Sequence, residues 1–190
     1  MLELKNITVS IDGEQIIKDF SIKVTAEKPV ALMGKSGAGK TTILRAAKEL
    51  IQLDSGDITA EGNMALMFQE PRLLPWKNAI ENIKAVLPEK EHELAEKYLK
   101  QVGLLASSDK MPSELSGGMA QRVAFARFLA YAEATDAKIL LLDEPFSSLD
   151  REIAEQMVKI LKDFSSQKAL LIVTHNELEA EMLDADIIYI

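Results

Sequence analysis

The sequence predicts an α/β fold whose sheet is mainly parallel. Three short runs of consecutive apolar residues, at positions 30–33, 139–142 and 169–173, have the length and composition of strands buried on both faces. Segments with a helical spacing of apolar residues separate these runs, for example at positions 40–53 and 151–164. Strands that alternate with helices along a chain are typical of a parallel sheet with helices packed on it.

The N-terminal part of the chain is predicted to form strands. Apolar residues recur at positions 2–11 and 16–24, and Asp12-Gly13 between them is a turn-forming pair. The sequence Asp-Ser-Gly-Asp at positions 54–57 predicts another turn, and the apolar run at positions 64–68 predicts a further strand.

The remaining helices are predicted from spacing and composition. The helix at positions 40–53 would place one set of apolar residues on one face, namely Ile43, Leu44, Ala47, Leu50 and Ile51. Positions 78–105 are rich in charged and helix-forming residues, and Ser116 is expected to begin a helix that runs to about Ala134. A final strand is expected at positions 187–190, and the 190 residues suit one domain.

The composition excludes several kinds of site and partner. Lys and Arg total 22 against 30 Asp and Glu, and the formal net charge of −8 without a basic patch argues against nucleic acid. The absence of cysteine excludes disulfides, thiolate metal sites and thiol catalysis. We see no signal-peptide pattern and no apolar stretch near the ~20 residues that span a bilayer. A membrane role is therefore expected to come through a partner chain.

Positions 34–41 read GKSGAGKT, which matches the pattern of a phosphate-binding loop. Glycines let the backbone N–H groups approach a phosphate closely, and the helix that follows adds the positive end of its dipole. Lys40 would neutralise the β- and γ-phosphates, and Thr41 would offer a hydroxyl to Mg²⁺. A plain glycine-rich turn is the alternative, but the strand before and the helix after favour the phosphate loop. The candidate nucleotide-binding residues are Gly34, Lys35, Ser36, Gly37, Ala38, Gly39, Lys40, Thr41 and Thr42.

Positions 139–144 read ILLLDE, an apolar strand followed by two carboxylates. Asp143 would emerge at the carboxyl edge of the sheet, where α/β folds place ligands, and could hold Mg²⁺ directly or through water. Glu144 could orient or deprotonate the water that attacks the γ-phosphate. An ordinary acidic turn is the alternative, but the position roughly 100 residues after the phosphate loop favours a metal and water site.

Four further segments follow one another in the order found in a known family. Positions 115–122 read LSGGMAQR, which resembles the signature segment of ABC ATPases, and positions 147–150, SSLD, resemble that family's D-loop. Gln69 and His175 each follow an apolar strand, where the family has its Q-loop glutamine and its switch histidine. Each segment alone is explained by a helix cap, a turn or a solvated side chain. The ordered set resembles the ATP-binding domain of ABC transporters over nearly the whole chain.

The resemblance implies a fold and a reaction. The fold is a P-loop NTPase with a RecA-like core, an antiparallel β subdomain and an inserted helical subdomain at about residues 75–134, all within a single domain of residues 1–190. The reaction is hydrolysis of ATP with Mg²⁺. The implied catalytic residues are Glu144, His175, Lys40 and Gln69, and the implied metal ligands are Thr41, Gln69 and Asp143.

The resemblance also implies a head-to-tail pair, either a homodimer or a pair of related ATPases. Ser116, Gly117 and Gly118 of one copy would contact the γ-phosphate held by the other copy, and Asp150 would lie across the interface. Ile11 stands where the family usually stacks an aromatic ring on adenine, so an aliphatic side chain is expected to pack against the base.

The implied membrane partner is a transmembrane permease, which would hold the protein at the cytoplasmic face of the membrane. Residues 68–76 resemble the ATPases of importers for nitrate, sulfonate or taurine-like solutes. Leu73, Leu74 and Trp76 are expected near the groove that receives the permease, and the alternative is that part of this set belongs to the core. Two other interpretations remain open: a soluble ABC-type ATPase that regulates or assembles other proteins, and an inactive nucleotide-binding scaffold. Intact Glu144 and His175 argue against the inactive scaffold.

Overall fold

The computed structural model describes all 190 residues, and the predicted α/β architecture is confirmed. Eight strands form two sheets: β1 (Leu2–Ile11), β2 (Glu14–Val24), β3 (Val30–Met33), β4 (Ser55–Ala60), β5 (Met64–Met67), β6 (Ile139–Asp143), β7 (Ala169–Val173) and β8 (Asp186–Tyr189). Six α-helices connect them: α1 (Lys40–Ala47), α2 (Ala79–Lys84), α3 (Glu93–Gln101), α4 (Gly117–Ala134), α5 (Arg151–Phe164) and α6 (Glu177–Met182). Single turns of 3₁₀ helix lie at Glu89–Glu91, Leu105–Ser107 and Pro112–Glu114.

The larger sheet is entirely parallel and has the strand order β5-β6-β7-β3-β8. Successive residues of β6 point to opposite faces, so Leu140 and Leu142 join one hydrophobic cluster while Ile139 and Leu141 join the other. Burial on both faces explains why these strands are continuous apolar runs. The carboxyl ends of β3, β6 and β7 meet at one edge of the sheet, which is where the functional site lies.

The smaller sheet is antiparallel, in the order β2-β1-β4, and β1 and β2 turn at Asp12-Gly13. The structure corrects one prediction here: residues 54–57 are not only a turn, because β4 begins at Ser55 and pairs with β1. Gly56 has φ +93°, and a β-carbon there would meet the backbone of β1. Glycine and aspartate are poor strand formers, and tertiary pairing overrides that local preference.

Two predicted helices are shorter than expected. The helix that starts at Lys40 ends at Ala47, because Glu49 takes a left-handed φ of +58°, and Leu50 is 53% exposed rather than buried. The helical stretch at 78–105 is divided, and Pro88 stands between α2 and the turn that precedes α3. The helix α4 begins after Ser116 and ends at Ala134, as predicted.

The helices α2, α3 and α4 pack on one another, and α4 also packs against β5. They cover one face of the parallel sheet together with α5 and α6, whereas α1 and the antiparallel sheet cover the other face. None of the helices combines the length and the apolar character needed to cross a lipid bilayer.

Candidate functional site

A cleft of about 470 Å³ opens at the carboxyl edge of the parallel sheet, beside the turn between β1 and β2. Residues that are far apart in sequence meet there, and ten of its lining residues were predicted as site residues: Ile11, Ser36, Gly37, Gly39, Lys40, Thr41, Thr42, Gln69, Glu144 and His175. Gly34, Lys35 and Ala38 lie in the same loop but do not line the cleft. Three further lining residues were not predicted: Asp12, Glu14 and Ile16.

The glycine-rich loop needs glycine at two of its positions for steric reasons. Gly39, at the start of α1, has φ +91°, and a β-carbon there would collide with the side chain of Ile17. Gly34 has φ +149°, and its β-carbon would collide with the backbone oxygen of Ile190. Side chains at these positions would therefore displace either the loop or its neighbours.

The Lys40 side chain, only 5% exposed, folds back across this loop. Its Nζ donates hydrogen bonds to the carbonyl oxygens of Gly34 at 2.9 Å and Lys35 at 2.8 Å. An ammonium group has three donors, so one remains for a ligand. The loop and α1 together present a fixed positive charge and a helix N-terminus, the combination that binds phosphate.

Asp143 lies at the end of β6 and is 4% exposed. Burial raises the pKa of this carboxyl group, while Thr41, Arg45 and Lys40 nearby oppose that effect. Its Oδ1 is buried and has no hydrogen-bond partner. An unpaired buried carboxylate oxygen is costly unless it meets a cation, so this oxygen fits a metal ligand.

The other oxygen donors suit the same metal. Thr41 and Gln69 supply a hydroxyl and an amide oxygen beside the cleft. No three His, Asp or Glu side chains converge on one point. One carboxylate with neutral oxygens, completed by phosphate and water, is the type of site that Mg²⁺ prefers.

Glu144 is held between two other predicted residues. Its Oε1 lies 2.8 Å from Nε2 of His175, and its Oε2 accepts a hydrogen bond of 3.1 Å from Nε2 of Gln69. Its φ of +43° is unusual for a residue other than glycine. Such strain is common at functional sites, and here it turns the chain sharply at the sheet edge.

A buried acidic residue supports the loop that carries His175. Glu179 accepts hydrogen bonds from Oγ1 of Thr174 at 2.6 Å and from Nδ2 of Asn176 at 3.3 Å. Burial raises the pKa of Glu179, and these two hydrogen bonds oppose it. A second cleft of about 640 Å³ lies between α5 and α6 and is lined by both Glu179 and His175. Glu179 therefore fixes the loop that carries His175, while the His175 side chain remains open to the first cleft.

The signature residues lie outside the cleft of their own chain. Ser116 caps α4, and its Oγ accepts a hydrogen bond of 3.2 Å from N of Met119. Ser116 and Gly117 are exposed, whereas a β-carbon on Gly118 would lie 3.3 Å from the backbone oxygen of Ser148. Asp150 is exposed at the N-terminus of α5. These residues form a separate surface that includes a helix N-terminus.

The end of the cleft next to the turn between β1 and β2 is lined by aliphatic and acidic side chains. Ile11 is 39% exposed and lines the cleft with Ile16, while Asp12 and Glu14 stand beside them. The turn at Asp12-Gly13 was visible in the sequence, but nothing in its pattern indicated that the carboxylates would face the cleft.

An apolar groove of about 270 Å³ lies between β5 and α4. Its lining includes Phe68, Val86, Phe128 and Tyr131. None of the three residues expected at a docking groove lines this one, and of the three only Trp76 is strongly exposed, at 70%. Leu73 and Leu74 are partly buried, and Leu73 packs against the main core.

This chain is similar in sequence and structure to known proteins. A family model described as "ABC transporter" matches residues 17–147. The aliphatic sulfonates import ATP-binding protein SsuB 2 of Agrobacterium fabrum is 36% identical over 189 residues, covering 94% of this chain and 71% of the relative. The glutamine transport ATP-binding protein GlnQ of Escherichia coli is 32% identical over 213 residues, covering 100% of this chain and 87% of the relative. The ATP-binding cassette MJ0796, solved as a dimer bound to ADP and phosphate, superposes with a TM-score of 0.88 at 27% identity, covering 100% of this chain and 94% of that structure.

Proposed function

The chain belongs to the ABC transporter family, and from that premise we propose that it is the ATP-hydrolysing subunit of a small-solute importer. The observation that carries the proposal is the cleft in which the glycine-rich loop, Gln69, Glu144 and His175 meet. The relative named for sulfonate import supports the direction of transport, and the relative named for glutamine transport supports a small solute. The solute site would lie on another chain, since nothing in this cleft is specific for a solute.

The phosphate loop would hold the triphosphate. The backbone N–H groups of the loop would face the phosphate oxygens, except that of Ala38, which donates to the carbonyl oxygen of Lys35 at 3.2 Å. The Lys40 ammonium, already fixed by two loop carbonyls, would point its remaining donor at the phosphate. A fixed cation needs no reorganisation as negative charge shifts toward the leaving group, which favours the transition state.

Thr41, Gln69 and Asp143 would hold Mg²⁺, which neutralises phosphate charge when it is bound. This assignment rests on the unpaired oxygen of Asp143, on Thr41 beside it, and on Gln69, which lines the cleft with Thr41. Ionised Asp143 is the form that binds a metal.

Glu144 would act as general base toward the attacking water. Gln69 and His175 grip its two oxygens, so the carboxylate is aimed before the substrate arrives. His175 is 47% exposed at its side chain and faces the cleft, where it would also contact the γ-phosphate.

A second subunit would complete the site. Ser116 and Gly117 are exposed and do not line their own cleft, so their helix N-terminus is available to a nucleotide on a partner. Asp150 would cross the same interface. ATP would then join two copies head to tail, and hydrolysis would remove the bridging phosphate and release them.

The apolar groove and Trp76 would receive a helix of the permease. That contact would place the protein at the cytoplasmic face of the membrane. We further propose that residues 75–134 form a helical subdomain, since α2, α3 and α4 pack together and carry both the groove and the signature.

Nucleotide binding is tested with Lys40→Ala. This change should abolish ATP hydrolysis and weaken binding of a fluorescent ATP analogue, because it removes the only side-chain cation fixed inside the loop. Lys48→Ala, at the other end of α1, makes the same change in charge and serves as the control. Equal binding by both variants would refute the site.

The importer role is tested by purification of the protein from its native membranes. A permease that co-purifies in the presence of ATP is expected, and Trp76→Ser should reduce its recovery. A protein that never associates with a membrane partner would instead favour the regulatory or assembly role.

A further inference from the structure

Gln69 and Glu144 are hydrogen-bonded to each other in the cleft, and two side chains of α4 bind the backbone that follows each of them. Arg127 binds the segment after Gln69, and Gln121 binds the segment after Glu144. We propose that Gln121 and Arg127 are positioning residues through which the signature end of α4 controls the geometry of the Gln69–Glu144 pair. The inference rests on the proposed function, because it assigns the pair a role in ATP hydrolysis.

The Arg127 contact is bidentate. Its Nη2 donates to the carbonyl oxygen of Pro71 at 2.6 Å, and its Nη1 donates to that of Arg72 at 3.0 Å. The Arg127 side chain is partly buried, and this burial lowers the pKa of its guanidinium. The planar fork of arginine reaches two adjacent carbonyls at once, which a lysine ammonium does not do in the same geometry.

The segment that Arg127 holds is strained and compact. Arg72 has φ +46°, in the left-handed region, and its own guanidinium lies 4.0 Å from the ring centre of Phe68. Residues 68–72 thus fold back on themselves with Gln69 between the two ends. A non-glycine residue keeps a left-handed φ only where the surroundings hold it, and Arg127 supplies that support.

The Gln121 contact lies deeper. Its Nε2 donates to the carbonyl oxygen of Pro145 at 2.9 Å, and the side chain is 1% exposed. Pro145 directly follows Glu144, whose own φ is +43°. Gln121 therefore fixes the chain at the point where it turns away from the catalytic carboxylate.

Both contacts belong to one continuous helix of 18 residues, about 27 Å long, whose first residue follows Ser116. An α-helix moves as a rigid rod over this length. A displacement of the signature end, such as closure onto a partner's nucleotide, would be carried to both backbone segments together. Through α4, the serine that would contact the partner's γ-phosphate would thus be linked to Glu144, the proposed general base, and to Gln69, which orients it in the same chain's cleft.

The test measures ATP hydrolysis by the purified protein over a range of MgATP concentrations, at a protein concentration high enough for dimers to form. Arg127→Lys keeps the charge but loses the fork, and we expect kcat to fall about tenfold while KM changes less than about threefold, as for a misaligned catalytic group. Arg122→Lys is the matched control, because Arg122 lies on the same helix and donates one hydrogen bond of 3.0 Å to the carbonyl of Val102, away from the cleft. It should leave both parameters within about twofold.

The discriminating measurement is a double-mutant cycle with Gln69→Ala. If Arg127 acts by positioning Gln69, Arg127→Lys should have little further effect on kcat once Gln69 is removed. An equal loss of kcat in both backgrounds would show a general structural role and overturn the proposal. Gln121→Met keeps the volume but loses the donor to Pro145, and it should likewise lower kcat with little change in KM, which keeps the proposal testable should Arg127→Lys fail to fold.

The outcomes separate this inference from the proposed function. If the wild-type protein did not hydrolyse ATP, or if Lys40→Ala left its hydrolysis unchanged, both the proposed function and the positioning role would be overturned. An active wild type whose kcat is unchanged by Arg127→Lys and by Gln121→Met would overturn only the positioning role.

Discussion

Replacing Glu144 with glutamine tests the chemical step of hydrolysis without changing the shape of the cleft. The amide has almost the same shape as the carboxylate, so it can occupy the space between His175 Nε2 at 2.8 Å and Gln69 Nε2 at 3.1 Å. It cannot accept the proton of the attacking water. Glu144→Gln should therefore stop hydrolysis while leaving nucleotide binding and subunit closure in place.

The size of the loss follows from the role assigned to Glu144. General-base catalysis contributes about 10²–10⁴-fold, equivalent to about 3–5 kcal/mol of activation free energy. The change in folding stability should be small, about 1 kcal/mol or less, because the amide keeps the shape of the side chain and can still hydrogen-bond to its neighbours.

Two assays test this expectation. Phosphate release at saturating MgATP should fall by at least about a hundredfold, whereas Glu96→Gln, on the exposed face of α3, should leave it unchanged. Light scattering during gel filtration should show a dimer with ATP in the variant, since closure survives and hydrolysis does not. Turnover within about tenfold of wild type would remove Glu144 from the mechanism, and a monomer at every ATP concentration would refute the sandwiched nucleotide.

Three further outcomes are expected. Ile11→Tyr should lower the KM for ATP several-fold, because an aromatic ring stacks on a base more favourably than an aliphatic chain; an unchanged KM would place the base elsewhere. Glu179→Gln should flatten the pH dependence of Tm: burial raises the pKa of Glu179, so its contribution to stability is lost as pH rises through the folded-state pKa. Asn82→Ala should cost about 2–4 kcal/mol in urea unfolding, because the fully buried Asn82 makes four hydrogen bonds to backbone atoms of residues 74, 77 and 78. The single tryptophan, Trp76, lies in that loop and would report the change by fluorescence.

The parts of the molecule predicted from sequence are those encoded locally. The glycine-rich loop, the strand that ends at Asp143 and the cap at Ser116 each depend on a few consecutive residues, and each lies in the predicted element. The convergence of Gln69, Glu144 and His175 follows from one further rule, that parallel strands bring their carboxyl ends to one edge.

The missed parts depend on distant contacts. The strand β4 has an exposed, glycine-containing sequence and exists because β1 pairs with it. The end of α1 is set by a left-handed residue, Glu49, which has no strong sequence signal. Arg127 contacts carbonyls 55 and 56 residues away, and a backbone carbonyl leaves no mark in a sequence pattern.

The close packing of Gly118 against Ser148 and Leu149 has a consequence for any assembly of two such chains. The N-terminus of α4 and the turn before α5, which one molecule would contribute to its neighbour's ATP site, form a single packed unit. A chain would therefore contribute both segments together, and each of the two ATP sites would receive either both of them or neither from the opposite subunit. In an assembly of two unlike chains, damage to this packed unit would directly remove these contacts from one ATP site only, the one held by the partner chain.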